Sequence, residues 1–109
     1  DRLAEVPLVY QPGTRWSYGT GLDIMGRVIE VVAGQTFDAF LKERFFDPLG
    51  MTSTGFRVAA KDAGRLATNY WVFAGRLVPI DPPESSVYLD EPAFFYGGAG
   101  LVSTVDDYG

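Results

Sequence analysis

The sequence holds 109 residues, 47% hydrophobic and 15% aromatic, with nine basic residues, a net charge of −5, no Cys and no His. That is enough apolar material for one small core and too much for a disordered chain, and an acidic balance without a basic cluster argues against nucleic acid and anionic membrane as partners. The missing Cys and His exclude disulfides, thiol chemistry, imidazole bases and a Ser-His-Asp triad, and no apolar run approaches the ~20 residues of a membrane span.

Residues 1–15 read as loop, punctuated by Pro7, Pro12 and Gly13. The first helix is expected over 20–33. Eight of the twelve residues from Leu22 to Ala33 are apolar, and the charged Asp23, Arg27 and Glu30 form one narrow stripe. Asp23 and Arg27 are spaced to pair. A strand is conceivable for 28–33 alone, but length and both end signals favour helix. Thr20 suits the N-cap, where its loss would cost about 1 kcal/mol, and Gly34 suits the C-terminal turn. A surface helix has a wide polar face, so this one should be mostly buried against partners.

Thr36 is positioned to cap a second helix, TFDAFLKERFFDPLG, with Phe37, Phe40, Leu41 and Phe45 on one face. Pro48 should end it, with Asp47 forced extended. A helical turn is expected near 59–64. Asn69–Phe73 and Arg76–Ile80 flank Ala74-Gly75 and read as a hairpin. DPPESSVYLDEP, residues 81–92, reads as an extended loop. Phe94, Phe95 and Tyr96 lead into GGAG at 97–100, and Ser103 with Asp106 forms a capping-box pattern that starts a helix near Thr104 or Val105. The fold class is therefore mainly α with a small β-hairpin (α+β). Both ends look cut, so residues 1–109 read as a single piece of a larger protein, whose apolar first helix would be exposed here and would promote self-association.

Few residues offer chemistry. Tyr18 stands just ahead of the first helix. A free phenol has a pKa near ~10 and is a poor base at neutral pH. A helix N-terminus or a nearby cation would stabilise its anion. The plainer reading is a packed ring with a bonded hydroxyl. GGAG lacks the Lys and preceding strand of a phosphate loop, and reads better as a turn that lets chains pass closely. Asp81, Glu84, Asp90 and Glu91 have no metal-ligand spacing and sit in a solvated loop, so no metal or other cofactor is implied. Trp16 and Trp71 suit core or rim packing better than ligand stacking.

The ordered set of short motifs carries a resemblance. PGTRWSYGTGLDIMGRVIEVVAGQTFDAFLKERFFDPLGMTSTGF, followed by GGAGLVSTVDDYG, resembles the interior of the serine β-lactamase and penicillin-binding-protein superfamily. Class C β-lactamases and family VIII carboxylesterases are most similar. The matching positions are Pro12-Gly13, Trp16, Tyr18, Gly34, Pro48-Leu49-Gly50-Met51 and Thr52 or Thr54, then the later G-G-x-G-L-x-S-T-x-x-D run. Residues 57–96 fall in the variable part.

The resemblance implies the helical domain of a β-lactamase/transpeptidase-like fold and gives Tyr18 a catalytic role. As the Tyr of a Y-x-N motif, it would act with the Lys of S-x-x-K to deprotonate a nucleophilic Ser. Thr20 stands at the motif's third position, normally Asn, which leans toward an esterase. No S-x-x-K, K-T-G or H-x-G occurs in this sequence. In the family they flank this region, which implies an inactive piece of a hydrolase acting on an acyl ester or β-lactam. The rival reading is a non-catalytic binding or scaffolding module of the same fold.

Overall fold

The computed structural model describes residues 2–109. A 3-10 turn at Arg2–Glu5 precedes an exposed, irregular segment. Helix α1 runs Gly21–Ala33 and closes at Gly34, which takes the left-handed φ of 69° and donates its N–H to Glu30 O at 2.9 Å. Thr20 precedes α1, but its side chain caps nothing. Its backbone, at φ −82° and ψ 17°, already turns into the helix, whereas a capping hydroxyl works from an extended residue.

The charged stripe of α1 is wired differently from its spacing. Arg27 pairs with Glu30 at 3.0 Å. The Asp23 carboxylate instead accepts from the Gly98 N–H at 2.9 Å. Glu30 also reaches forward, and its Oε1 accepts from Phe37 N at 3.0 Å. That bond satisfies an otherwise orphaned N–H at the start of the next helix. Thr36, extended at ψ 153°, makes no side-chain cap there.

Helix α2, Phe37–Leu41, passes without a break into a π-helical turn, Lys42–Phe46, and then into α3, Asp47–Leu49. Pro48 therefore does not end the helix, and Asp47 is helical at φ −66°, ψ −48°. The π turn explains why. Asp47 donates to Lys42 O, five residues back, which shifts the carbonyls away from where the proline ring would collide. Gly50, left-handed at φ 69°, closes the run. The extra residue in that turn also rotates the inward face. Phe37 and Phe46 are buried, while Phe45 is 48% exposed.

After a 3-10 turn at Ala60–Arg65, strands β1 (Asn69–Phe73) and β2 (Arg76–Asp81) pair antiparallel. Ala74 and Gly75 have φ of 47° and 74°, the two positive values of a type I′ turn. Pro79 is tolerated because each strand of a two-stranded sheet is an edge, and the register slips next to it, between Asn69 and Tyr70. The stretch expected as an extended loop instead holds two 3-10 turns, Pro83–Ser85 and Val87–Leu89. Asp81 organises the second by accepting from Ser86 Oγ at 2.8 Å and Val87 N at 3.1 Å.

The last helix, α4, is Val105–Tyr108. Its cap is Thr104, whose Oγ1 accepts from Asp107 N at 3.2 Å, and not Ser103. Ser103 Oγ meets Thr54 Oγ1 at 2.7 Å. Asp107 then ties distant segments together: its Oδ2 accepts from Ser53 N at 2.7 Å and Thr54 Oγ1 at 2.8 Å. A bridge between Gly55 and Val102 continues this seam.

The core is a small aromatic cluster. Phe37, Phe46 and Phe56 are buried, and the Phe56 ring meets Phe37 at 6.1 Å and Phe95 edge-on at 5.1 Å. Little else is enclosed. The accessible surface is 8848 Å², where a closed globule of this mass would show about 6,000 Å². Both hairpin strands are exposed on almost every residue. On α1 only Gly26 is buried among the described residues, and most of its apolar side chains are exposed, as expected for this helix in the chain by itself. Trp16 and Trp71, read as packing residues, are 83% and 63% exposed. Among the described residues no helix is long and apolar enough to cross a membrane.

Candidate active-site segment

The segment from Tyr10 to Thr20 is built by local contacts. Gly13 adopts φ 81°, turning the chain after Pro12, and Thr14 closes the turn onto Gln11 O through both N–H (3.3 Å) and Oγ1 (2.7 Å). The Arg15 guanidinium lies over the Tyr10 ring, 4.3 Å from its centroid. Trp16 and Tyr18 meet edge-to-face at 6.4 Å. Ser17 lies between them, so the ring contact joins residues two apart in a segment without regular structure.

Tyr18 is 90% exposed, and among the described residues its hydroxyl makes no hydrogen bond. The plainer reading, a packed ring with a bonded hydroxyl, does not describe it. Two residues later Thr20 O accepts from Ile24 N at 3.0 Å and opens α1. The phenol is thus carried on the chain that enters the N-terminal, positive end of a 13-residue helix.

Thr20 lies on the wall of a groove of about 800 Å³ along α1, with Ile24 and Val28 on one side and Phe94 and Tyr96 on the other. Phe94 and Tyr96 stack edge-on at 5.1 Å. Because the Thr20 hydroxyl holds no backbone N–H, Thr20→Ala should change stability by less than ~0.5 kcal/mol, not the ~1 kcal/mol of a lost cap. Thermal melts of the two proteins check this, and a full cap-sized loss would contradict it.

The glycine loop at 97–100 packs against α1, as a turn that lets two chains pass closely. A Cβ on Gly97 would lie 2.8 Å from the Leu22 carbonyl carbon, and one on Gly26 would lie 3.5 Å from Gly97 Cα. Of the four acidic residues of 81–92, Asp81 is engaged with Ser86, and Glu91 with Arg57 at 3.1 Å. Sequence reasoning missed the structural roles of Asp23, Glu30 and Asp107. Asp23 and Asp107 each find a partner more than fifty positions away, and no local pattern shows that.

The comparisons with known proteins agree with this architecture. The family model described as Beta-lactamase matches residues 1–109, and the chain belongs to that family. Protein Rv1367c of Mycobacterium tuberculosis (strain ATCC 25618 / H37Rv) is 37% identical over 109 residues, covering 97% of this chain and 26% of that protein. Lovastatin esterase of Penicillium rubens is 42% identical over 84 residues, 77% of this chain and 19% of the esterase. Among solved structures, EstCE1, a hydrolase with promiscuous acyltransferase activity, superposes with a TM-score of 0.80 at 32% identity, over 96% of this chain and 31% of its own. The fold is that of a β-lactamase-like protein, mainly α with a small hairpin. The chain spans about a quarter of the length of the first of these relatives.

Proposed function

We propose that this chain is the helical-domain interior of a serine hydrolase that cleaves acyl esters through an acyl-Ser intermediate. The observation that carries the reading is Tyr18, presented at the entry to α1 with its hydroxyl unengaged among the described residues. In the reaction, a Ser hydroxyl supplied by an S-x-x-K motif outside these residues attacks the ester carbonyl. Its proton passes to Tyr18, whose anion is held by the motif's Lys and the end of α1. The alcohol leaves with that proton and the acyl group stays on Ser. Water then attacks the acyl-Ser with Tyr18 again taking the proton, releasing the acid and the free Ser.

Esters are favoured over β-lactams by Thr20, which stands where the Y-x-N motif has Asn. The name of lovastatin esterase points the same way. Reading the encoded sequence ahead of Asp1 for S-x-x-K is the direct check. Its absence, with no ester hydrolysis by the full-length protein, would favour the non-catalytic module instead.

The isolated 109-residue chain is expected to be inactive and to self-associate. It lacks the Ser and Lys that Tyr18 needs, and it exposes Leu22, Met25, Val31 and Val32 on α1 and Trp71, Phe73 and Leu77 on the hairpin. Light scattering across concentration and an acyl-ester assay test both points. A monomer that unfolds cooperatively at high temperature would contradict self-association. Turnover that disappears on Tyr18→Phe would contradict inactivity.

A further inference from the structure

We propose that Asp23 is a positioning residue for Tyr18, acting by locking the first turn of α1 to the glycine loop at 97–100. This rests on the role given to Tyr18 above. The Tyr18 ring contacts Trp16, and the hydrogen bonds between residues 6 and 19 are local, such as Thr14 to Gln11. Among the described residues no hydrogen bond or ring contact in that segment ties Tyr18 to the body of the fold, so its place is inherited from the helix it leads into.

The first turn of α1 is in turn seated on the glycine loop. Asp23 Oδ1 accepts from Gly98 N at 2.9 Å, across a separation of 75 residues. Beside that bond the Gly97 backbone lies flush against the Leu22 carbonyl, with no room for a side chain, and Gly26 is buried against it. The loop itself is anchored. A Cβ on Gly100 would stand 3.5 Å from Phe56 Cδ1, Val102 bridges Gly55, and Asp107 binds Ser53 and Thr54. A chain of contacts therefore runs from the aromatic core through the loop to Asp23, which lies five residues after Tyr18. Close packing fixes how near the loop comes to the helix. The directional bond to Asp23 fixes the rotation of the first turn, and with it the direction of the preceding residues.

The test uses the full-length protein, a short acyl ester, steady-state kinetics and thermal melts. Asp23→Ala removes the acceptor and Asp23→Asn keeps an Oδ1 in the same place. A misplacement on the order of 1 Å can cost about 10²-fold in rate. Asp23→Ala is therefore expected to lower kcat by about 10- to 100-fold with KM little changed, and Asp23→Asn to restore most of it. Should Asp23→Ala not fold, Asp23→Gln moves the acceptor by one methylene and must show the kcat loss that Asp23→Asn lacks.

Tyr18→Phe is run beside them. If it lowers kcat while Asp23→Ala does not, the positioning role is overturned and the role of Tyr18 stands. The same holds if Asp23→Asn is as impaired as Asp23→Ala, since the acceptor is then not what matters. If Tyr18→Phe leaves kcat unchanged, or if the full-length protein hydrolyses no acyl ester, both are overturned.

Discussion

Replacing Tyr18 with Phe in the full-length protein is expected to lower kcat for a short acyl ester by ~10²–10⁴-fold, with no comparable change in melting temperature. The substitution keeps the ring and its edge-to-face contact with Trp16 and removes only the hydroxyl. That hydroxyl bonds to nothing among the described residues, so its removal breaks no structural bond there. A residue 90% exposed, away from any cap or buried network, ordinarily tolerates such a change within about 0.5 kcal/mol. The prediction thus separates chemistry from folding at one position. Near wild-type kcat, in a protein that does form an acyl-Ser, would reduce Tyr18 to an aromatic contact with Trp16. Tyr18→Phe with normal kcat and a lowered melting temperature would assign it to packing within the longer protein.

Much of the backbone was legible because particular residues have few conformational options. Gly34 marked the end of α1 because the left-handed φ it adopts is strained for residues with a Cβ. Ala74-Gly75 between two apolar runs marked the hairpin, although Ala74 also takes positive φ there and bears the strain a second glycine would avoid. The helix through Pro48 was misread for a physical reason. The rule that proline pushes its predecessor out of the helix is a local steric preference, which Asp47 overrides at φ −66° and ψ −48°, while the π turn moves the carbonyls that the proline ring would otherwise meet. Once that turn was missed, Phe45 was placed inward in place of Phe46.

The site was legible only in part. Composition and spacing reach Tyr18 as one aromatic residue before a helix, and the catalytic role proposed for it rests on the resemblance of the surrounding motifs. The contact proposed to brace it is invisible in the sequence. Asp23 looked like a partner for Arg27 by helical spacing, yet it faces the glycine loop and Arg27 pairs with Glu30. Helical spacing shows which groups can meet on one helix. It cannot show that a second segment offers a better-aligned N–H to one of them.

The two glycines at that contact should respond to alanine in opposite ways. Gly97→Ala is expected to destabilise the full-length protein by about 3 kcal/mol, the upper end of ordinary overpacking. Its new methyl would stand 2.8 Å from the Leu22 carbonyl carbon and 3.3 Å from Gly26 N. These are backbone atoms inside a helix, and they cannot swing aside without breaking α1 hydrogen bonds. The loop would have to lift, stretching the bond from Gly98 N to Asp23. Gly26→Ala faces the same loop from the other side, yet its methyl would meet Gly97 Cα and N at 3.5 Å and the Phe37 ring at 3.6 Å, all ordinary contacts. Alanine is favoured over glycine within a helix by about 0.8–1.0 kcal/mol. Gly26→Ala should therefore be neutral or modestly stabilising, even though Gly26 is the buried residue of α1. Gly64→Ala, with nothing within 4 Å, serves as the reference for a glycine in open space. Urea denaturation of the three variants decides the matter. A Gly97→Ala protein as stable as Gly64→Ala would mean that the loop does not seat on α1, and would remove the close contact on which the proposed positioning of Tyr18 depends.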